Sequence, residues 1–365
     1  MNRGFWQTIK KPIIGLAPMD GVSDAAFRFI TAKYGKPSIL ITEFTNVDAL
    51  KYGALKALTA FIYNEEERPV VAQIYGTNPE NFYRACFIAC ELGFDGIDIN
   101  MGCPSKSVTG NGAGAGLILT PLLAQEIIKS CKQACQDWSE GKKIEEVELL
   151  PQIIQYIKNA QLGTIPGHFD IDGKPDHFIK KTPFIPERKI LPVSVKTRIG
   201  YDKPIVEEWL KYVIECEPVN ISLHGRTLKQ MYTGEANWEE IGNAAKFIKK
   251  QNPEILFLGN GDIKSYSGAI QKIQTYNLDG VLIGRGALGQ PWILNNETKS
   301  ISEKLEIAVE HSKTYEHYFG KNPKVFAAMK KHLGWYCTDF PKAKELRLKL
   351  MSCNSAEEVK NTLNN

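Results

Sequence analysis

A cysteine held in a rigid turn is the residue of this sequence best suited to acid–base chemistry. Cys103 follows an apolar run, 96–99, that predicts a buried strand, and it directly precedes Pro104. Proline fixes its own φ and disfavours helix in the residue before it, so the thiol is expected in an extended turn beyond the strand end. The glycine-rich stretch 110–116 follows and is expected to form a mobile flap beside it. A buried structural cysteine is the alternative, and these residues alone leave both open.

Eight apolar runs are typical of strands, and residues able to contact a ligand stand at the end of each one. In chain order these residues are Pro18-Met19, Glu43, Gln73, Asn100 with Cys103, Lys196 with Arg198, His224 with Arg226, Asn260-Gly261-Asp262 and Gly284-Arg285-Gly286. Any one of them has a structural explanation, such as a lysine whose stem lies along apolar surface while its ammonium reaches water. Their recurrence at the same end of every strand predicts one shared site.

The same runs indicate how the chain folds to bring those residues together. The predicted strands are 13–19, 39–44, 70–76, 96–101, 193–199, 221–224, 255–259 and 280–283. Predicted helices are 24–34, 79–92, 121–135, 205–216, 238–250 and 265–276, with a further helical segment at 46–62 and a short one at 286–295. Eight strand–helix units predict an α/β fold of the (β/α)8 TIM-barrel type, whose active site forms at the carboxyl ends of the strands. A doubly wound open sheet is the alternative, but it normally has fewer strands and a GxGxxG motif that is absent here.

The last two turns suit a phosphate group. Gly259 to Asp262 and Gly284 to Gly286 follow the seventh and eighth strands, where barrels commonly bind phosphate. Glycines let backbone N–H groups approach the anion, and Arg285 can pair with it. The ring of such a cofactor would lie beside Gln73, Lys196 and His224, and a cation at a flavin edge stabilises the anionic reduced ring.

Composition places the chain among ordinary soluble proteins. Its 365 residues are 43% hydrophobic and 24% charged, with a net charge of +4. No apolar run approaches the ~20 residues of a membrane span, and the first residues lack the apolar core of a signal peptide. Eight cysteines without a CxxC pair indicate reduced thiols, so we expect a cytoplasmic protein. Cys86/Cys90 and Cys131/Cys135 lie in apolar helical segments without nearby histidines, which favours core packing, and we expect no metal site.

Two segments depart from the strand–helix repeat. Residues 137–189 are rich in proline and are expected to form an insertion with one helix near 144–159. This insertion holds a DxDG run at 170–173 that lacks the downstream Glu of a calcium loop, so we interpret it as a turn. Residues 298–365 show only helical periodicity and carry 12 basic against 8 acidic residues, an excess equal to that of the whole chain. We therefore predict a catalytic barrel at 1–297 and a small all-α domain at 298–365 that binds a polyanion.

Several of these motifs together resemble the tRNA-dihydrouridine synthases, flavin-dependent reductases of uridine in tRNA. The matching elements, in family order, are APMDGVSD at 17–24, DINMGCP at 98–104, KTRIG at 196–200, HGRT at 224–227, NGD at 260–262 and GRG at 284–286. They span about 13–294, and KHLGWY at 331–336 resembles the family's helical RNA-binding domain. The insertion 137–189 departs from the short connection typical of the family and lies outside the motifs of the catalytic core.

The resemblance implies an enzyme with FMN as cofactor and NADPH or NADH as reductant. It implies a hydride from flavin N5 to C6 of a flipped-out uracil and a proton from Cys103 to C5, a role suited to a thiol that stays protonated. Pro18, Met19, Gln73, Lys196 and His224 would lie at the ring and ribityl chain, and Asn260, Gly261, Asp262, Gly284 and Arg285 at the phosphate. Asn100, Arg198 and Arg226 would contact the substrate, while Lys330 and Lys331 would bind tRNA phosphates. We expect tRNA as the partner, with no membrane and no obligate protein partner.

Two other functions remain open from the residues. A flavin-dependent reductase of a free pyrimidine or another small enone shares the phosphate turns, but a small substrate needs no basic helical tail. A catalytically silent RNA-binding protein needs neither Cys103 nor the phosphate turns.

Overall fold

The computed structural model describes residues 3–162 and 185–364. Their strands form one parallel sheet, confirming the predicted strand runs within a few residues at each end. The strands are β1 Ile13–Leu16, β2 Ile39–Ile41, β3 Thr45–Asn46, β4 Val70–Tyr75, β5 Gly96–Met101, β6 Val193–Arg198, β7 Asn220–His224, β8 Leu256–Asn260 and β9 Gly280–Ile283. The first strand ends before Pro18, which has no N–H to give to a ladder.

The sheet closes on itself into a barrel. Its order is β2-β1-β9-β8-β7-β6-β5-β4-β3, and β2 also pairs with β4, so that no edge is left open. β2 and β3 both run parallel to β4 and together occupy one of the eight strand positions of the barrel. The single strand predicted at 39–44 is broken there because Gln73 N donates to the side-chain Oγ1 of Thr42, at 3.0 Å, in place of a backbone carbonyl. The predicted (β/α)8 barrel is confirmed.

Helices alternate with the strands around the barrel and continue alone after β9. They are α1 Ala25–Gly35, α2 Val47–Lys51, α3 Pro79–Glu91, α4 Lys106–Thr109, α5 Pro121–Ser139, α6 Pro151–Leu162, α7 Val206–Ile214, α8 Trp238–Gln251, α9 Tyr266–Tyr276, α10 Ile301–Phe319, α11 Pro323–Phe326, α12 Met329–Tyr336, α13 Ala343–Ser352 and α14 Ala356–Asn364. Asp24 caps α1 by accepting from Phe27 N at 2.9 Å, as expected of an aspartate at a helix start. Pro79 and Pro121 occupy the first helical positions of α3 and α5, where their missing N–H costs nothing.

Three predicted helical segments differ from what is observed. The segment 46–62 holds only the short α2 and a 3₁₀ turn at Leu55–Phe61, and 286–295 lies in two 3₁₀ turns. Within the predicted insertion, the helix is α6 and begins at Pro151 instead of near 144, because proline suits a first helical position. The DxDG run at 170–173 lies outside the described residues.

The C-terminal helices pack against α1 of the barrel. Lys33 and Tyr34 both contact the carboxylate of Glu310 in α10, at 2.6 and 2.5 Å. The ring of Phe27 packs against two buried histidines, 5.8 Å from His311 and 5.2 Å from His332, whose own rings are 4.7 Å apart. The helical region therefore sits on the barrel at its first helix, while the exact domain boundary at 297/298 remains a prediction. No helix in 3–162 or 185–364 is long and apolar enough to cross a membrane.

Candidate active site

The strand register brings the predicted site residues into adjacent rows. Asn100 on β5 stands opposite Lys196 on β6. Arg198, one pleat further along β6, pairs with His224 on β7, and His224 pairs in turn with Asn260 on β8. Since parallel strands end at the same rim, this register places carbonyl, ammonium, guanidinium and imidazole groups side by side at the carboxyl ends of β5 to β8.

The turn that carries Cys103 is fixed by hydrogen bonds on both sides. Asn100 Oδ1 accepts from Gly102 N at 3.1 Å and from Cys103 N at 2.8 Å. Ala115 N donates to Cys103 O at 3.1 Å. At Gly114, φ is +58° and a Cβ would lie 2.9 Å from that same carbonyl oxygen, so only glycine fits beside the cysteine.

The expected flap at 110–116 is therefore smaller than the glycine pattern suggested. Residues 113–118 are buried against the barrel, and only 110–112 are exposed at its tip. The reason is the close packing of Gly114 against Cys103, which a sequence pattern cannot reveal.

Cys103 is the only one of the eight cysteines with appreciable exposure. Burial raises the pKa of its thiol, and the nearby negative charge of Asp20 raises it further, against opposing effects from the Ser105 N–H, Arg198 and Lys196. The thiol therefore holds its proton at neutral pH and suits the role of an acid. The four cysteines of α3 and α5 are buried, as predicted, and the described residues contain no cluster able to hold a metal ion.

Lys196 and His224 give the rim two very different nitrogen groups. Lys196 Nζ lies 3.3 Å from Asn260 Oδ1, and burial, followed by repulsion from Arg198, lowers the pKa of Lys196 to about 8. Burial also holds the pKa of His224 well below its usual value, with the surrounding cations adding to the effect. The imidazole is thus neutral at pH 7 and able to accept or donate one hydrogen bond.

Asp262 occupies the predicted phosphate turn, but its carboxylate is bonded to protein groups. Arg226 Nη2 and Ala236 N donate to its Oδ2 at 2.6 and 2.8 Å, and Arg285 Nη2 donates to its Oδ1 at 3.0 Å. Burial opposes the charge on Asp262, yet these hydrogen bonds outweigh it and lower the pKa of this carboxyl. A carboxylate has no donor for a phosphate, so Asp262 serves this turn by holding two arginines in place.

The space beside these arginines suits an anionic group. Arg226 Nη1 is buried and has no hydrogen-bond partner among the described residues. A Cβ at Gly284 would stand in ordinary van der Waals contact with Met19 Sδ at 3.5 Å and with Ala17 Cβ at 3.6 Å. At Gly261, with φ at +135°, a Cβ would lie 2.5 Å from Ala236 Cβ, so the turn is tight here. A buried guanidinium nitrogen without a partner in the described part of the chain, next to turns made of glycine, suits a phosphate-bearing cofactor.

Arg198 ties two loops of the rim together. Its Nε donates to Gly102 O at 2.6 Å, and its Nη1 donates to Thr227 O and Met231 O at 3.1 and 3.2 Å. The guanidinium thus links the cysteine turn to the loop after β7, and Nη2 is the nitrogen left for a substrate contact.

Gln73 and Asn100 form a buried amide chain instead of two separate contacts. Asn100 Nδ2 donates to Gln73 Oε1 at 3.0 Å, and Gln73 Nε2 donates to Asp98 Oδ2 at 2.7 Å. Gln73 is fully buried, so it supports the Asn100 side chain from below and does not face the open space of the site. Asp98 was missed by sequence reasoning, although an ionisable residue inside the apolar run 96–99 was an available signal.

The two predicted RNA-binding lysines face different surroundings. Lys330 Nζ donates to Asn354 Oδ1 at 2.9 Å, within the helical region. Lys331 Nζ lies 3.7 Å from where a Cβ on Gly21 would be, in the turn that follows Pro18-Met19. Its positive charge also opposes the rise in the pKa of Asp20, which burial causes. Lys331 thus belongs to the barrel mouth, and Lys330 does not.

Comparison with known proteins gives one consistent family. The protein-family model described as dihydrouridine synthase matches residues 15–140 and 175–365 of this chain. The probable tRNA-dihydrouridine synthase 2 of Bacillus subtilis (strain 168) is 31% identical, over 99% of this chain and 95% of that protein. A probable tRNA-dihydrouridine synthase of Staphylococcus epidermidis is also 31% identical, over 100% of this chain and 96% of that protein. Among solved structures, DHODH from Eimeria tenella in complex with ferulenol is 12% identical with a TM-score of 0.46, covering 81% of this chain and 84% of that one.

Proposed function

The chain belongs to the dihydrouridine synthase family, and from that premise we propose that it reduces uridine in tRNA to dihydrouridine, with FMN as its flavin and NADPH or NADH as the reductant. The observation that supports this most directly is the pairing of a protonated, partly exposed thiol with a cationic rim on the same barrel end. We further propose that it works in the cytoplasm without an obligate protein partner.

The cofactor site is proposed along the carboxyl ends of β1 and β6 to β9. Arg226 through its Nη1, together with Arg285, would bind the phosphate beside the backbone of Asn260, Gly261 and Gly284. Asp262 would hold both guanidinium groups through Arg226 Nη2 and Arg285 Nη2. Pro18, Met19, Lys196 and His224 would border the ring, with Gln73 enclosed beneath them as support. When bound and reduced, the flavin supplies a hydride to C6 of the uracil ring.

Cys103 is the proposed acid of the reaction. Its Sγ holds the proton that C5 of the uracil needs once C6 has gained a hydride, so the C5–C6 double bond becomes a single bond and the thiolate regains a proton from water. Asn100 Oδ1 accepts a hydrogen bond from Cys103 N at 2.8 Å, and Arg198 Nε donates one to the neighbouring Gly102 carbonyl oxygen. The thiol is therefore held in one place while its proton is transferred.

The tRNA is proposed to contact both the barrel mouth and the helical region. A stacked uracil cannot reach the rim, so the base must be flipped out of its helix. Lys331, which lies beside Gly21, would bind a phosphate near the flipped nucleotide, while Lys330 would bind one further away. Arg198 Nη2 and the Asn100 Nδ2 hydrogen that is not donated to Gln73 would contact the base or its sugar-phosphate. Arg226, first predicted to contact substrate, is assigned to the cofactor phosphate because its guanidinium is 2% exposed.

The test is dihydrouridine formation on unmodified tRNA by the purified, FMN-loaded protein with NADPH. We expect product in tRNA and at most about a hundredth of that rate on free uridine, because free uridine lacks the phosphates that the lysines bind. Equal rates on tRNA and on free uridine would support a small-enone reductase instead. A protein that cannot be loaded with FMN would support a silent RNA-binding role.

A further inference from the structure

Asp98 is a buried carboxylate inside the barrel that no step above uses. It has no exposed surface, and burial raises the pKa of Asp98, while hydrogen bonds from Gln73 and Ser194 and the positive charge of Lys196 oppose that rise and favour the ionised form. Its Oδ2 accepts from Gln73 Nε2 at 2.7 Å and its Oδ1 accepts from Ser194 Oγ at 2.6 Å. Gln73, Asp98 and Ser194 stand side by side on β4, β5 and β6. A buried charge is costly, and within the described residues no cation lies at ion-pair distance from Asp98, so its retention needs a reason.

The first consequence of this carboxylate concerns the direction of the neighbouring hydrogen bonds. An ionised carboxylate only accepts, so Gln73 must present its Nε2 to Asp98 and therefore its Oε1 to Asn100. Asn100 must then present Nδ2 to Gln73 and its Oδ1 to the N–H groups of Gly102 and Cys103. Reversing either amide would set oxygen against oxygen or N–H against N–H. The charge on Asp98 at one end and the N–H groups of Gly102 and Cys103 at the other thus require the same polarity of this chain.

The second consequence concerns Lys196. Asn100 and Lys196 are register partners, two residues along from the pair Asp98 and Ser194. Burial and repulsion from Arg198 both lower the pKa of Lys196, and the negative charge of Asp98 works against them. Asp98 is therefore a buried counter-charge that helps Lys196 remain an ammonium at the rim.

We propose that Asp98 is a positioning residue for the uridine reduction proposed above. Its carboxylate orients the Gln73 and Asn100 amides, which hold the Cys103 turn, and its charge supports the ammonium of Lys196. This inference rests on the proposed function for its kinetic part, while its electrostatic part is measurable in the apoprotein.

Two variants separate these roles. Asp98→Asn has the same shape and retains both hydrogen bonds, because Ser194 Oγ can accept from the new amide and donate to Ile97 O, 3.1 Å away. It removes the charge, while the Gly102 and Cys103 N–H groups still hold the Asn100 and Gln73 amides in their orientation. Gln73→Met keeps the charge and breaks the chain between Asp98 and Asn100. Ser194→Ala is the matched control, since it deletes one hydrogen bond to Asp98 and leaves both the charge and the chain in place.

The first measurement is the pH midpoint at which FMN binding to the apoprotein weakens, followed by flavin fluorescence. We expect Asp98→Asn to lower this midpoint by about one pH unit, because Lys196 loses its counter-charge. Gln73→Met and Ser194→Ala should keep the wild-type midpoint. The second measurement is kcat and KM on unmodified tRNA, where Gln73→Met, which breaks the chain to Asn100, should lower kcat about tenfold or more with little change in KM.

An unchanged midpoint in Asp98→Asn would overturn the electrostatic role, and wild-type kcat in Gln73→Met would overturn the positioning role. If Asp98→Asn does not fold, Gln73→Met still decides the positioning role. If wild-type protein makes no dihydrouridine on tRNA, the proposed function fails, while the FMN midpoints still test the link between Asp98 and Lys196.

Discussion

Gly289 and Trp335 meet where the helical region docks on the barrel, and their backbones are in direct contact. A Cβ on Gly289 would lie 2.1 Å from the carbonyl oxygen of Trp335, and its φ is +71°. Trp335 belongs to α12, the helix that also carries Lys331. The position of this lysine over the barrel mouth therefore depends on a glycine in the barrel.

Gly289→Ala is expected to loosen this docking. The substitution adds a clash with rigid backbone to the cost of a left-handed conformation, together about 2 to 4 kcal/mol of unfolding free energy. Gly112→Ala is the control, since its φ is +78° and its Cβ would meet only Thr77 Cγ2, at 3.8 Å, so it carries the backbone cost of about 1 kcal/mol alone. Urea unfolding of both variants measures the difference. Equal losses in the two would show that the contact with Trp335 does not matter.

Cys103→Ala is expected to lose about 10²- to 10⁴-fold in dihydrouridine formation, the usual contribution of a general acid. FMN content and NADPH oxidation should stay at wild-type levels, because no contact of the phosphate turns involves this side chain. Cys216→Ala, at a buried cysteine away from the rim, controls for the loss of a thiol. Full product formation by Cys103→Ala would eliminate the proton-donor role.

Lys196 is expected to make FMN binding depend on pH near 8. With its pKa lowered to about 8, first by burial, the ammonium loses its proton as pH rises through that value, and the affinity for an anionic ligand falls. Lys196→Arg should bind FMN with little change between pH 7 and pH 9, because a guanidinium keeps its charge. Lys196→Met should bind weakly at both values. A wild-type pH profile in Lys196→Arg would contradict this assignment.

Lys330→Ala and Lys331→Ala are expected to weaken tRNA binding to a similar degree and to differ in catalysis. Each removes one phosphate contact, so the slope of log Kd against log salt should fall by about 0.7 to 0.9 per variant. Only Lys331→Ala should also lower kcat, because Lys331 lies beside Gly21 at the barrel mouth. Lys246→Ala, at an exposed lysine on the outer helix α8, provides the control. An unchanged salt slope in both variants would refute their phosphate contacts.

Glu43→Gln is expected to stabilise the protein, and to do so more at pH 8 than at pH 5. Burial, followed by repulsion from Asp24, raises the pKa of Glu43 from 4.5 to about 7. Because the folded pKa exceeds the unfolded one, wild-type stability falls as pH rises between these values, and a neutral glutamine escapes that loss. Its carbonyl can still accept from Val22 N, at 3.0 Å in the wild type. Urea unfolding at the two pH values measures the gain in unfolding free energy, with Glu66→Gln, at an exposed glutamate, as the control. A gain in Glu43→Gln that is equal at both pH values would contradict the prediction.

The sequence was sufficient for the barrel because its signals are local. Alternation of apolar runs with helical periodicity requires only neighbouring residues, and Asp24, Pro79 and Pro121 mark helix starts through their own backbone chemistry. The turn at Cys103 was predictable for the same reason, since Pro104 restricts the residue before it. The rim residues followed once parallel strands were assumed, because their ends share one face.

Contacts between distant segments were beyond the reach of the sequence. The break between β2 and β3 depends on a hydrogen bond from Gln73 to Thr42, and the burial of 113–118 depends on Gly114 against Cys103. The sequence places Asp262 in a predicted phosphate turn, but only the fold shows that its carboxylate accepts hydrogen bonds from Arg226 and Arg285.

The sequence by itself determined which residue types stand at the carboxyl ends of eight strands, because periodicity and turn chemistry are properties of short stretches. Tertiary structure alone decided which of them act together. It placed Asp98 beneath Gln73 and Asn100, and it separated Lys331 from its neighbour Lys330 by docking α12 over Gly21. The physical reason is that charge, burial and hydrogen-bond direction are set by partners far away in the chain, and these partners meet only when the barrel closes.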